Sequence, residues 1–186
     1  MPSTSLLDAL SATVPLGRLP RIGWTMAGIT KVESVAAHSH GVGLVALALG
    51  PRVDPPIDVD RAVALTLVHD VPEAMLSDLP RPGSELLPDG AKREAEQAAA
   101  RILLPPLSDL AHTRFQEYAS QETREARFAR LCDRLHMGVM LVAYYRTGSR
   151  GLGDFVPSID ALDCSEFVPC ADLREELLEA CQEFLS

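Results

Sequence analysis

Apolar residues return along this chain every three or four positions rather than every second one, in stretches bounded by proline and glycine, a spacing that predicts helices and no strands. Leu6 to Thr13 is a short amphipathic start, and Pro15, Gly17, Pro20, Gly23 and Gly28 mark an irregular loop ending near Lys31. Ser34 to Leu49 reads as the first long helix, closed by Gly50-Pro51, because glycine readily ends a helix and proline cannot continue one. Pro55-Pro56 is a connector. Asp58 then caps a helix running through Val63, Leu65, Leu67 and Val68 to His69-Asp70, and Pro72 disfavours helix at Val71 and favours a fresh start. The turn Leu79 to Pro82 leads to a helix from Asp89 to Leu104, and Pro105-Pro106 to one capped by Ser108. Glu122 to Arg146 is the longest helix, closed by Gly148, and Ala171 to Leu185 is a last amphipathic one. The expected class is all-α, without internal repeats.

A chain of 186 residues is long enough for one sizeable core, and a single domain over residues 1–186 is expected. Its 17 Lys and Arg against 26 Asp and Glu leave a net charge of −9, the wrong sign for gripping duplex nucleic acid. A small anionic substrate stays compatible, since a few arginines in a cleft dominate the local field. Val42 to Leu49 and Gly138 to Tyr145, the longest apolar stretches, fall far short of the roughly 20 residues that span a bilayer. Met1 to Ser5 has no basic region ahead of an apolar run, so no secretory leader is read and a cytoplasmic location is expected. Cys132, Cys164, Cys170 and Cys181 form no Cys-x-x-Cys pair and are expected to be free, buried thiols.

The chemistry gathers at His69-Asp70. An ionisable pair beside Leu65, Leu67 and Val68 is costly to bury unless partners compensate. Alone it is as readily a helix cap. His38, among Val35, Ala36, Ala37 and Val42, is by itself an ordinary core histidine. Asp133, flanked by Phe128, Ala129, Leu131, Leu135 and Met137, is a further carboxylate in an apolar stretch. One divalent ion (Mn, Co, Fe, Mg, Ni or Zn) held by His38, His69, Asp70 and Asp133 accounts for all of them together.

A histidine, then a His-Asp doublet, then a distant aspartate resembles the HD-domain phosphohydrolase superfamily. Leu19 to Trp24, Glu33 to Ser39, His69-Asp70-Val71-Pro72-Glu73 and Ser77 to Pro80 are similar to its 5'-deoxynucleotidase branch. The motif-bearing core covers about residues 19–145, and residues 150–186 read as a helical extension. The resemblance implies an HD-domain helical bundle that releases phosphate from deoxyribonucleoside 5'-monophosphates by attack of metal-activated water. It makes His38, His69, Asp70 and Asp133 the ligands and Glu73 the group assisting proton transfer. Asp78 is expected to help place the nucleotide, Trp24 to contact the sugar, and Arg21, or else Arg18, to hold the phosphate. Glu73 has a plainer reading as a carboxylate favoured in a first helical turn after Pro72. Members often carry an acid immediately before the first histidine, where this chain has Ala37.

His40, two residues after His38, points in a different direction on a helix and reads as a supporting or solvent residue. His112 and His136 read as structural. Within the same superfamily, di-iron oxygenases need further histidines between the doublet and the last aspartate, where only His112 stands, so a mononuclear hydrolase is expected. The remaining alternative is a helical scaffold without turnover. Leu173, Leu177, Leu178 and Phe184 on the last helix either complete the core or form a homodimer interface, the dimer being the expectation.

Overall fold

The computed structural model describes residues 5–185, so Met1 to Thr4, most of the segment read for a leader, lie outside the described residues. Eleven α-helices occur among them: α1 Leu6–Thr13, α2 Ile22–Met26, α3 Val35–Leu49, α4 Val59–Val68, α5 Glu73–Leu76, α6 Arg81–Ser84, α7 Ala91–Leu103, α8 Asp109–Ser120, α9 Arg124–Arg146, α10 Val156–Asp160 and α11 Val168–Leu185. The fold is all-α: no strand is present among the described residues, only an isolated bridge between Pro20 and Ser34. None of these helices is long and apolar enough to cross a membrane.

α3, α4 and α8 each start on a capping side chain, those of Asp58 and Ser108 as expected. Ser34 Oγ accepts from the Ala37 amide, Asp58 Oδ1 from Arg61 and Ser108 Oγ from Ala111. α9 starts two residues later than expected because Thr123 caps it through the Ala126 amide, and it stops before Gly148 at φ +98. Residues 15–31 depart from the expected loop, since a 3-10 turn spans Val14–Gly17 and α2 spans Ile22–Met26. The leading amide of α2, at Ile22, donates to the Asp78 carboxylate, 56 residues away in sequence, a cap with no local trace.

The chain forms two compact units. The first takes the described residues up to Ser39 with Leu67–Ser120, the second His40–Thr66 with the described residues from Gln121 onward. The first unit has a core of Val68, Val71, Ala100, Leu103, Leu104 and Phe115, which draws its apolar side chains from the end of α4, from α7 and from α8. In the second, α9 packs on α10 and α11. Phe128 meets Phe167 edge-on with ring centres 5.3 Å apart, and Tyr145 stacks on Phe184 at 5.1 Å. Leu177 is buried, and Leu173, Leu178 and Phe184 are half-buried. All four cysteines are free and buried in this unit, as expected.

Candidate functional site

α4 ends at Val68, so the doublet sits in the turn before α5, where the Glu73 amide donates to the Asp70 carbonyl. Pro72 starts α5 and Ser77, at φ +69, stops it after one turn. This tight path puts His69, Asp70, Glu73 and Asp78 within ten residues. Buried His38 reaches the same place from the first turn of α3. Its Nε2 lies 3.9 Å from Asp70 Oδ2, and His69 Nε2 lies 3.2 Å from that same oxygen. The two rings stand 5.7 Å apart, each offering a nitrogen within 4.8 Å of the other's. Tyr118 packs on the far ring, 5.2 Å from His69.

Two imidazole nitrogens and a carboxylate oxygen brought together on largely buried side chains are the donor chemistry of a first-row divalent ion. Beside them, Glu73 Oε2 is buried without a hydrogen-bond partner. Burial, then the charge of Asp70, raises the Glu73 carboxyl to about 9, Arg21 opposing. At neutral pH it therefore keeps its proton.

Arg21, the residue before α2, donates through Nη1 to Asp70 Oδ2 at 3.2 Å and stands 3.8 Å from Glu73 and 3.6 Å from Asp78. Trp24, buried in α2, donates its indole N–H to Glu33 Oε1 at 3.2 Å. The first unit thus brings together His38, His69, Asp70, Glu73, Asp78, Arg21 and Trp24. Arg18 is exposed and lines a cavity of about 550 Å³ that Glu73 also borders, with Leu19, Met75 and Ser77. Asp133 is half-buried on α9 in the second unit.

His40 is exposed, His112 meets Gln116 on α8, and His136 is buried against Gly41. Sequence reasoning quoted Glu33 within a motif but gave it no role. A carboxylate five residues before His38 is the signal that marks it, and with Ala37 exposed, Glu33 is the acid that approaches the Nδ1 edge of the histidine.

A family model described as "HD domain" matches residues 16–155. Human 5'-deoxynucleotidase HDDC2 is 32% identical over 136 residues, which are 72% of this chain and 65% of that protein. The chain therefore spans slightly less than two thirds of that relative's length. The 5'-deoxynucleotidase hdd1 of Schizosaccharomyces pombe is 29% identical over 162 residues, 82% of this chain and 80% of that protein. Among solved structures, a conserved hypothetical protein of Pyrococcus furiosus superposes with a TM-score of 0.80 at 29% identity, covering 93% of this chain and 99% of the other. With the motif residues in order and most of its length matched, this chain belongs to the HD-domain family.

Proposed function

We propose that the protein is a metal-dependent phosphohydrolase that releases phosphate from nucleoside 5'-monophosphates, with deoxyribonucleotides preferred. The observation that carries the reading is the convergence of His38 Nε2, His69 Nε2 and Asp70 Oδ2 beside the buried Glu73 carboxyl. His38, His69 and Asp70 would hold the ion, with Asp133 entering by its place in the motif order. Once bound, a divalent ion lowers the pKa of water and polarises a phosphoryl oxygen.

The remaining work falls to the chain. Arg21, with its donors in a planar fork, would hold the phosphate. Arg18 would assist from the neighbouring cavity. Glu73, kept neutral by burial, would give its proton to the departing 5'-oxygen. Asp78, fixed by the Ile22 amide, would place the sugar, and Trp24 packed against C2' would disfavour a hydroxyl there. Similarity to the human and fission yeast 5'-deoxynucleotidases supports the substrate class.

The test is phosphate release from ribo- and deoxyribonucleoside monophosphates with Mn, Co, Mg, Fe, Ni or Zn, comparing wild type with Asp70→Ala. Release from deoxynucleotides that disappears in the variant is expected. No release with any metal overturns the proposal. A cytoplasmic homodimer belongs to the same proposal; Leu177 of the last helix is buried within the second unit, so it is the exposed Leu44 and Leu47 of α3, rather than that helix, that support association. Cell fractionation and sedimentation check these two points.

A further inference from the structure

Glu33 stands between the last residues of the α2 segment and the start of α3. Its side chain is only 7% exposed. A carboxylate is not carried into such a position without compensation, and two groups meet it at one atom. The indole N–H of Trp24 donates to Glu33 Oε1 at 3.2 Å, and His38 Nδ1 stands 3.9 Å from that same oxygen. The other nitrogen of the His38 ring, Nε2, faces Asp70 Oδ2. The two edges of one imidazole are thereby divided, one toward the doublet and one toward Glu33.

We propose that Glu33 is a positioning residue that ties the sugar-recognising Trp24 to the ligating face of His38 through a single carboxylate oxygen. This rests on the reading of the site given above. At 3.9 Å the oxygen is beyond hydrogen-bond reach of His38 Nδ1 and acts on the ring by its negative potential, favouring the orientation that turns Nε2 toward Asp70 and increasing its donor strength. On Trp24 it acts by a direct hydrogen bond, which fixes the indole plane. A change at Glu33 therefore reaches metal affinity and sugar discrimination together.

Trp24 is the only tryptophan in the chain, so intrinsic fluorescence reports on it alone. The experiment compares wild type, Glu33→Gln and Glu33→Ala, stripped of metal and checked for helicity by circular dichroism. Tryptophan emission and calorimetric titration with Mn²⁺ are read first, and the ratio of deoxy- to ribonucleotide hydrolysis second. Glu33→Gln keeps an acceptor for the indole but removes the carboxyl group that faces His38. It is expected to retain the wild-type emission maximum and to bind Mn²⁺ on the order of 10-fold more weakly. Glu33→Ala is expected to weaken Mn²⁺ binding similarly, to shift the emission to the red and to lower sugar discrimination several-fold.

Unchanged Mn²⁺ affinity in both variants overturns the proposal, as does a Glu33→Ala protein in which only one of the two readouts moves. If Glu33→Ala does not fold, Glu33→Gln carries the test: weaker Mn²⁺ binding with retained emission supports the proposal, and any other pattern overturns it. Emission and Mn²⁺ affinity do not require turnover. A wild-type chain that hydrolyses no nucleotide would sink the phosphohydrolase reading while these two measurements still decide the role of Glu33.

Discussion

Glu73 shows how position sets chemistry. An ordinary glutamate ionises near 4.5, but this one is buried beside the Asp70 charge and holds its proton to about 9. Unfolding releases that proton wherever the pH lies between those values, so the native state binds more protons across the window and stability falls as pH rises through it. Glu73→Gln, melted in chelator, is expected to match wild type at pH 4 and to exceed it at pH 8 by on the order of 1–3 kcal/mol. Turnover moves the opposite way. Hydrolysis by wild type should decline on the alkaline side as the acid is lost, below the value for the metal-free protein because a bound cation offsets the Asp70 charge. Glu73→Gln should be roughly 10²- to 10⁴-fold slower and lack that alkaline limb in a pH–rate profile.

Helices in the second unit approach closely where glycine permits it. A Cβ at Gly41 of α3 would lie 2.0 Å from Nε2 of buried His136 on α9, and a ring packed in a core has little room to yield. Gly41→Ala is expected to destabilise the protein by about 1–3 kcal/mol in guanidinium unfolding. At Gly138 the added atom would meet Leu177 Cδ1 at 2.8 Å, the end of a flexible side chain that can turn aside. Gly138→Ala should therefore cost less. α2 is the element that local pattern missed. Gly23 and the nearby Gly28 argue against a helix by propensity, yet the Asp78 carboxylate supplies its cap from a distant turn.

The segment after Arg150, which matched no motif, is part of the second unit's core. Ile159, Phe167, Cys170, Leu177 and Cys181 are all buried, and α11 lies along α9. A chain ending at Arg150 would uncover Phe128 and Tyr145, and it is expected to lose cooperative thermal unfolding by circular dichroism. The thiols give an independent check. With all four cysteines buried, a thiol reagent should modify none in the native chain and four in guanidinium.

Period, capping residues and ligand types are local properties, and they are legible in order along the chain. The 3.6-residue repeat predicts α3, α4, α7, α8, α9 and α11, because a helix buries one stripe of its own sequence. The caps at Ser34, Asp58 and Ser108 follow from short polar side chains reaching amides three residues on. His38, His69 and Asp70 stand out because ionisable groups in apolar stretches need partners. What joins residues tens of positions apart leaves no such trace. The cap of Asp78 on α2, the placement of Arg21 against three carboxylates and the sharing of Glu33 by Trp24 and His38 all arise when separate turns pack together. Burial of Glu73 has the same origin, since the shift of its proton depends on neighbours brought up by folding rather than on the residues beside it.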